Sequence, residues 1–417
     1  MAKQTFDGYG PGSCEAAVAT CGGSAHPPER AMHMNVTRLL PALLLFAPLL
    51  AAQDPAGAEA AMPNPKHAEH AALTPFVGTW NCKVKMYQGP EPMEMAATET
   101  FELLCSGLWL KSTVQSTFMG QPFQGISLLG FDPKAKHYVN VWADSMAPIA
   151  TVSHTAHDPK TRTWSSKLVS GHGPARSSLV WKDADTIVET SYAAGPDGKE
   201  TVAMEIVRKR GGKATSTTAA GPGSVSPSSS TTAPASVGSA PTAAGAAPGA
   251  PSATTTPPDA VVADLARTVG TWNAVTRMTG PDGTATAEKG SETVTSVCNG
   301  QWQWSDYSGL MMGMPFEGHG LVGYDPTTQK VTTFWIDNFS PFVTVLTGGF
   351  DAKANAIVSS GMCCDPTGAE GEMSCTAIWK DANTRVSKMT HAMKEGSMSF
   401  DIEYTRITPV PGAAPRK

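Results

Sequence analysis

The chain has 417 residues, enough for two or three domains of ordinary size. Charged residues make up only 16% of it, and the formal net charge is −5. This balance gives no electrostatic reason to expect a nucleic acid or an anionic membrane surface as a partner. The basic cluster Arg208-Lys209-Arg210 ends a strand-like segment, and we interpret it as a solvated surface feature.

The N-terminal region reads as a processing signal. Arg38 precedes the apolar run LLPALLLFAPLL, and small residues follow it, which predicts a signal peptide over 34–52 with cleavage after Ala52. The run is shorter than the roughly 20 residues that a membrane span needs. We therefore expect export to the periplasm or the cell exterior without a stable membrane anchor, with an uncleaved anchor as the alternative. Residues 1–33 are then a mis-assigned start or a disordered extension.

A second break in composition divides the rest of the chain. Residues 211–258 are rich in Ser, Thr, Ala, Pro and Gly, and such a segment cannot bury enough apolar surface to offset its chain entropy. We predict a disordered linker there. It separates two segments of similar length, 74–210 and 259–407. A short linker with a helical turn over 53–73 precedes the first, and a disordered tail over 408–417 follows the second.

The two segments are copies of each other. VGTWN occurs at 77–81 and again at 269–273. The other shared motifs keep the same order: GQPFQG with GMPFEG, LLGFDP with LVGYDP, VWADSMAP with FWIDNFSP, and VWKDADTIV with IWKDANTRV. This pattern indicates an internal duplication.

Each copy consists of short segments rich in Val, Thr, Ile and aromatic residues, separated by Gly, Asp-Pro or Pro-Asp-Gly turns. We count eight to ten strands per copy, at spacings typical of an antiparallel meander, and the stretch before each VGTWN motif has a helical pattern. The alternation alone permits either a sandwich or an up-and-down barrel.

A family resemblance favours the barrel. A Gly-x-Trp after a short helical turn resembles the start of a calycin, or lipocalin-like, barrel. Together with Gly-[Phe/Tyr]-Asp-Pro and a terminal Arg, the pattern is similar to family DUF1579, exported bacterial proteins of unknown function. The resemblance implies two tandem all-β antiparallel barrels, in each of which an Arg covers the Trp ring at the closed end. The residues in these barrel-closing positions are Gly78, Trp80 and Arg210 in the first copy, and Gly270, Trp272 and Arg406 in the second.

The shared Trp-x-Asp strand is the most informative candidate site. Strand alternation places Trp142 and Asp144 on one face, and their copies Trp335 and Asp337 likewise. Each Asp either caps the turn that follows or supplies a polar group to a pocket, and both interpretations remain open. The aromatic residues of the GQPFQG and GMPFEG motifs, Phe123 and Phe316, are further ligand-binding candidates at a barrel rim.

Known catalytic and cofactor motifs are missing from the sequence. It contains no Gly-x-Ser-x-Gly elbow, His-Glu-x-x-His, phosphate-binding glycine loop or dinucleotide fingerprint. No histidine occupies the same position in both copies, so a haem ligand common to both is excluded. We assign no catalytic residue, no metal and no cofactor.

Export implies an oxidising compartment, where disulfides form. Cys82 and Cys105 lie on the first two predicted strands, and we expect a cross-strand disulfide between them. In the second copy Cys363, Cys364 and Cys375 flank a turn, so we expect one of the adjacent pair to bond Cys375.

Three functions of different classes follow from these features. The first is a container that binds a small apolar or amphipathic molecule in at least one barrel, and we favour it. The second is an enzyme that uses Asp144 or Asp337. The third is a non-catalytic interaction module with filled barrels and unknown protein partners. Whether the two barrels touch is left open by the sequence.

Overall fold

A computed structural model describes residues 65–211 and 258–407, except positions 88, 90, 195–197, 352 and 395. The predicted signal peptide, most of the predicted linker and the C-terminal tail lie outside these residues. The described chain contains one α-helix, Pro258–Ala266, and three 3₁₀ helices, Ala68–Phe76, Cys105–Gly107 and Cys298–Gly300.

The first copy forms a closed antiparallel barrel in which each strand pairs with the next and β1 also pairs with β10. Its strands β1 to β10 are Gly78–Met86, Met93–Leu104, Trp109–Phe118, Gln121–Asp132, His137–Asp144, Thr151–Asp158, Thr163–Ser170, Arg176–Trp181, Thr186–Ala194 and Glu200–Arg210.

The second copy forms a closed barrel of the same order, in which β11 pairs with both β12 and β20. Its strands β11 to β20 are Gly270–Thr279, Ala285–Val297, Trp302–Met311, Met314–Asp325, Lys330–Asp337, Thr344–Asp351, Ala356–Cys364, Glu370–Trp379, Thr384–Met393 and Gly396–Arg406. The prediction of two tandem up-and-down barrels is confirmed, and the sandwich alternative is wrong.

The VGTWN motif closes one end of each barrel. Trp80 is fully buried, and the guanidinium of Arg210 lies 4.2 Å from the centre of its ring. Arg210 also donates hydrogen bonds to the carbonyls of Val77 and Pro75, so it ties the chain before β1 to the end of β10. Gly78 has φ +123°, and a Cβ there would lie 3.3 Å from Nη1 of Arg210, which accounts for the glycine.

The second barrel repeats this closure. Arg406 lies 4.0 Å from the ring centre of the buried Trp272 and donates to the carbonyls of Val269 and Arg267. Gly270 has φ +136° for the same reason as its copy. The geometry is the Arg-over-Trp contact that the calycin resemblance implies.

The two barrels share an apolar interface. One continuous cluster of buried side chains draws on the outer faces of β3 to β6 and of β13 to β16, and its most deeply buried members include Trp109, Leu128, Val141, Trp302, Leu321 and Ile336. Strand positions that would face water in an isolated barrel are therefore covered by the other barrel. Burial of this kind is the main stabilising contribution to such contacts.

Hydrogen bonds across the interface are reciprocal. The side-chain carbonyl of Gln124 accepts the backbone N–H of Cys298 at 2.5 Å, and a carboxylate oxygen of Glu317 accepts the backbone N–H of Cys105 at 3.2 Å. Gln124 and Glu317 occupy the same position in the two copies, as do Cys105 and Cys298. The interface is thus a pseudo-two-fold contact within one chain, built like that of a symmetric homodimer.

We predict that the two barrels stay associated after the chain between them is cut. A protease site introduced into 212–257 and cleaved should give two fragments that co-elute in size-exclusion chromatography, because the shared apolar cluster holds them. Leu321→Asp should separate the fragments, since it places a charge in that cluster. Val169→Asp, at an exposed strand position, is the matched control and should leave them together. Separation of the unmodified fragments, each still strand-rich by circular dichroism, would contradict the shared core.

Candidate ligand-binding cavity of the first barrel

The interior of the first barrel encloses a cavity of about 450 Å³. It extends from Phe76, at the closed end, to the exposed residues Met146 and His172 in the loops at the other end. Most of its wall is apolar, with Val84, Met86, Phe101, Leu110, Val114, Leu129, Trp164, Leu179, Met204 and Ile206 among the lining residues. These residues point inward because alternate positions of every strand face the barrel interior.

A buried charged triad lies in the cavity wall. Arg208 donates from Nε to Glu99 at 2.6 Å and from Nη1 to Glu189 at 2.8 Å, and its side chain is 8% exposed. Burial opposes the charge on Arg208, but the two carboxylates outweigh it and raise its pKa. The interpretation of Arg208 as a solvated residue is wrong, because strand alternation turns it inward while Lys209 faces out. Cys82 lies beside this triad, and burial raises the pKa of its thiol to about 12.

Trp142 and Asp144 also line the cavity and contact each other. The indole N–H of Trp142 donates to Oδ2 of Asp144 at 2.8 Å. Oδ1 of Asp144 accepts the backbone N–H groups of Met146 and Ala147 at 2.7 and 3.1 Å. One oxygen of Asp144 therefore caps the turn after β5, and the other holds the ring of Trp142 in the cavity wall. The capping interpretation and the pocket interpretation of Asp144 thus each describe one of its two oxygens.

The GQPFQG motif makes room for that ring. A Cβ at Gly125 would lie 2.3 Å from Cη2 of Trp142, closer than any side chain tolerates. Phe123, two residues earlier on β4, faces the same cavity. The structure thus brings Phe123, Trp142 and Asp144 together in one cavity wall.

The second barrel keeps the same framework with larger inward residues. Trp335 donates to Asp337 at 3.1 Å, and Asp337 caps the turn through Phe339 and Ser340. Burial raises the pKa of Asp337 to about 6, although these three hydrogen bonds favour the carboxylate.

Phe316 is buried in the interior of this barrel. Its ring centre lies 5.8 Å from that of Tyr307 and 5.2 Å from that of Phe339. The positions of Tyr307 and Phe339 are occupied in the first barrel by Val114 and Met146. Packed aromatic rings therefore fill space that the first barrel leaves open.

The predicted disulfides are wrong. Cys82 is paired with Ala97 in the sheet, and Cys105 lies eight residues farther along the chain, in the inter-barrel cluster. In the second copy Cys375 is paired with Ser359, whereas Cys363 is paired with Gly371. These separations along the strands far exceed the reach of a disulfide. The described cysteines, Cys82, Cys105, Cys298, Cys363, Cys364 and Cys375, all carry free thiols.

Comparison with known proteins identifies the family. The sequence profile described as "Protein of unknown function (DUF1579)" matches residues 65–210 and 258–406, one match for each barrel. The chain belongs to this family. It is a tandem duplication of the DUF1579 domain, as the repeated motifs predict. A search of curated proteins gave no match.

Solved structures similar to this DUF1579 chain share little sequence with it. An S-type phycobiliprotein lyase from Guillardia theta is 10% identical with a TM-score of 0.29, and the match covers 36% of this chain and 94% of the lyase. A protein of the DUF3598 family from Nostoc punctiforme is 8% identical with a TM-score of 0.22, covering 82% and 100% of the two chains. TM-scores this low give no information about the function of this chain. Among the described residues, the helices lack the length and apolar character to cross a membrane.

The charged triad in the cavity wall contains two residues that the sequence did not single out, Glu99 and Glu189, and one that it placed at the surface, Arg208. Glu99, Glu189 and Arg208 lie far apart in sequence, and only strand pairing brings them together. One signal was available: Glu99 falls at the same position as Glu292 of the second copy. Glu292 is likewise buried and pairs with an arginine, Arg385, from a different strand.

We predict that Gly125→Ala displaces Trp142 and destabilises the protein by about 1–3 kcal/mol, the usual cost of forcing extra volume into a packed site. Thermal unfolding measures the loss, and a red-shifted tryptophan emission reports the displaced ring. Gly349→Ala is the matched control, because a Cβ there meets only an ordinary contact at 3.6 Å. Equal effects of the two substitutions would contradict the role given to Gly125.

Proposed function

We propose that this is an exported protein whose first barrel binds one small, mostly apolar molecule. The observation that carries the proposal is the cavity of about 450 Å³ inside that barrel. Its size falls within the roughly 300–1,000 Å³ common for ligand sites, and its mostly apolar wall with a few placed polar groups is typical of them.

The polar groups in the wall favour a guest without a negative charge. Two carboxylates, Glu99 and Glu189, share the single guanidinium of Arg208, so its positive charge is already paired. Of the described residues that line the cavity, the two arginines, Arg176 and Arg208, are both paired with glutamates. A buried anion such as a fatty-acid carboxylate would therefore remain an unpaired charge, which is costly. A neutral guest, or one that donates a hydrogen bond to Glu189, fits the wall better.

The alternative of an enzyme receives less support from the geometry. The carboxylates of Asp144 and Asp337 each accept one indole and two backbone hydrogen bonds from their own strand and turn. These contacts favour a structural role, in which the aspartate holds a tryptophan in the barrel wall.

We predict that the protein binds the neutral dye N-phenyl-1-naphthylamine, and binds the anionic dye 1-anilinonaphthalene-8-sulfonate at least about tenfold more weakly. The two dyes share a scaffold and differ by the sulfonate. Val114→Tyr, which places in the cavity wall the residue found at the same position of the second barrel, should abolish the fluorescence increase. Tyr307→Phe, in the second barrel, is the control and should leave it unchanged. A protein that binds neither dye and carries no guest in native mass spectrometry contradicts the container and favours the interaction module.

Export is a separate part of the proposal, and it rests on the apolar run 39–50 and the small residues after it. We predict that the mature protein isolated from its host begins at or near Gln53, as read by mass spectrometry of the intact chain. Leu44→Arg, within the apolar run, should leave the precursor uncleaved. An unprocessed N-terminus on the unmodified protein would contradict the signal peptide.

A further inference from the structure

A cluster of potential metal ligands lies between the two barrels. Cys105 comes from the first barrel, while Glu317 and His319 come from β14 of the second. One donor atom from each, a thiol sulfur, a carboxylate oxygen and an imidazole nitrogen, lies within 4.8 Å of the other two. The sequence did not suggest this site because its members belong to different copies.

His319 is held in the orientation of a metal ligand. Its Nδ1 lies 2.8 Å from Oδ1 of Asp306, and its ring stacks on Trp304 with 5.4 Å between the ring centres. Trp304 in turn donates its indole N–H to the same Asp306 oxygen at 2.7 Å. Metal-bound histidines are commonly fixed in this way, by a carboxylate on the nitrogen that does not bind the metal. The other nitrogen, Nε2, then faces Glu317 at 2.9 Å.

The pseudo-two-fold symmetry supplies an internal comparison. On the other side of the interface, Gln124 and Ile126 occupy the positions of Glu317 and His319, and the thiol of Cys298 lies 3.8 Å from the carbonyl oxygen of Ala143. Gln124 accepts the backbone N–H of Cys298, as Glu317 does for Cys105, and Ile126 fills the position of His319 with apolar bulk. Joining the barrels therefore requires neither the charge of Glu317 nor the imidazole of His319.

We propose that Cys105, Glu317 and His319 bind a divalent transition-metal cation, with Zn²⁺ as the preferred ion. Thiolate, imidazole and carboxylate are the three ligand types of protein zinc sites, and three protein ligands leave a fourth position for water. Because the ligands come from both barrels, the ion bridges them.

Cobalt titration of chelator-treated, reduced full-length protein tests the site. Co²⁺ is a spectroscopic substitute for Zn²⁺, and thiolate coordination gives a charge-transfer band in the near ultraviolet. We expect a band that saturates at one Co²⁺ per chain and disappears on addition of Zn²⁺. Zn²⁺ should also raise the unfolding temperature, since an ion that binds only the folded state stabilises it.

The first barrel shows which residues can replace the proposed ligands, since Gln124 and Ile126 occupy the positions of Glu317 and His319. Glu317→Gln and His319→Ile install the residues found there, so both should fold, as judged by circular dichroism, and bind Co²⁺ at least about tenfold more weakly. Cys105→Ser should remove the charge-transfer band, whereas the matched variant Cys298→Ser should retain it. A band that survives in Cys105→Ser, or no band in the unmodified protein at millimolar Co²⁺, overturns the proposal.

Discussion

The apolar contact between the outer faces of the two barrels determines how the rest of this molecule is built. A single up-and-down barrel needs an apolar interior and a polar exterior, yet Leu128, Val141, Leu321 and Ile336 point outward and are fully buried or nearly so. Both copies carry this apolar outer surface, so each requires the other to cover it. The duplicated chain behaves as a symmetric dimer whose subunits are covalently joined.

The repeated motifs acquire physical meanings in this arrangement. Gly130 of LLGFDP pairs with Trp109, and a Cβ there would lie 2.4 Å from the tryptophan ring, so this glycine admits the ring. Gly125 does the same for Trp142 on the inner side of the sheet. Two of the glycines shared by both copies thus leave room for a tryptophan ring, one at the interface and one at the cavity. This explains why glycine and tryptophan recur together in both copies.

The sequence predicted the repeat, the strands, the closed barrels and the Arg-over-Trp contact, because each depends on local pattern or on a family resemblance. The sequence-based predictions failed where the site depends on whether a strand position faces the barrel interior or the outside, and on the register of strand pairing. Neighbouring basic residues predict an exposed Arg208, and strand order without the pairing register predicts the disulfides; both predictions are wrong. The Cys105–Glu317–His319 cluster was missed for a further reason, since no pattern within one copy can reveal a site shared by two.

The two copies have diverged in their interiors, whereas the two subunits of a symmetric dimer would have identical interiors. Enlarged inward residues, such as Tyr307 in place of Val114, pack the second barrel, and packed side chains gain the dispersion contacts that an open cavity forfeits. The first barrel has the open interior, and the two barrels share one buried cluster at their interface. At the interface the two copies differ in polar side chains. The second barrel has Glu317 and His319 where the first has Gln124 and Ile126. In the functions proposed above, the second copy supplies two of the three metal ligands, Glu317 and His319, while the first supplies Cys105 and the cavity.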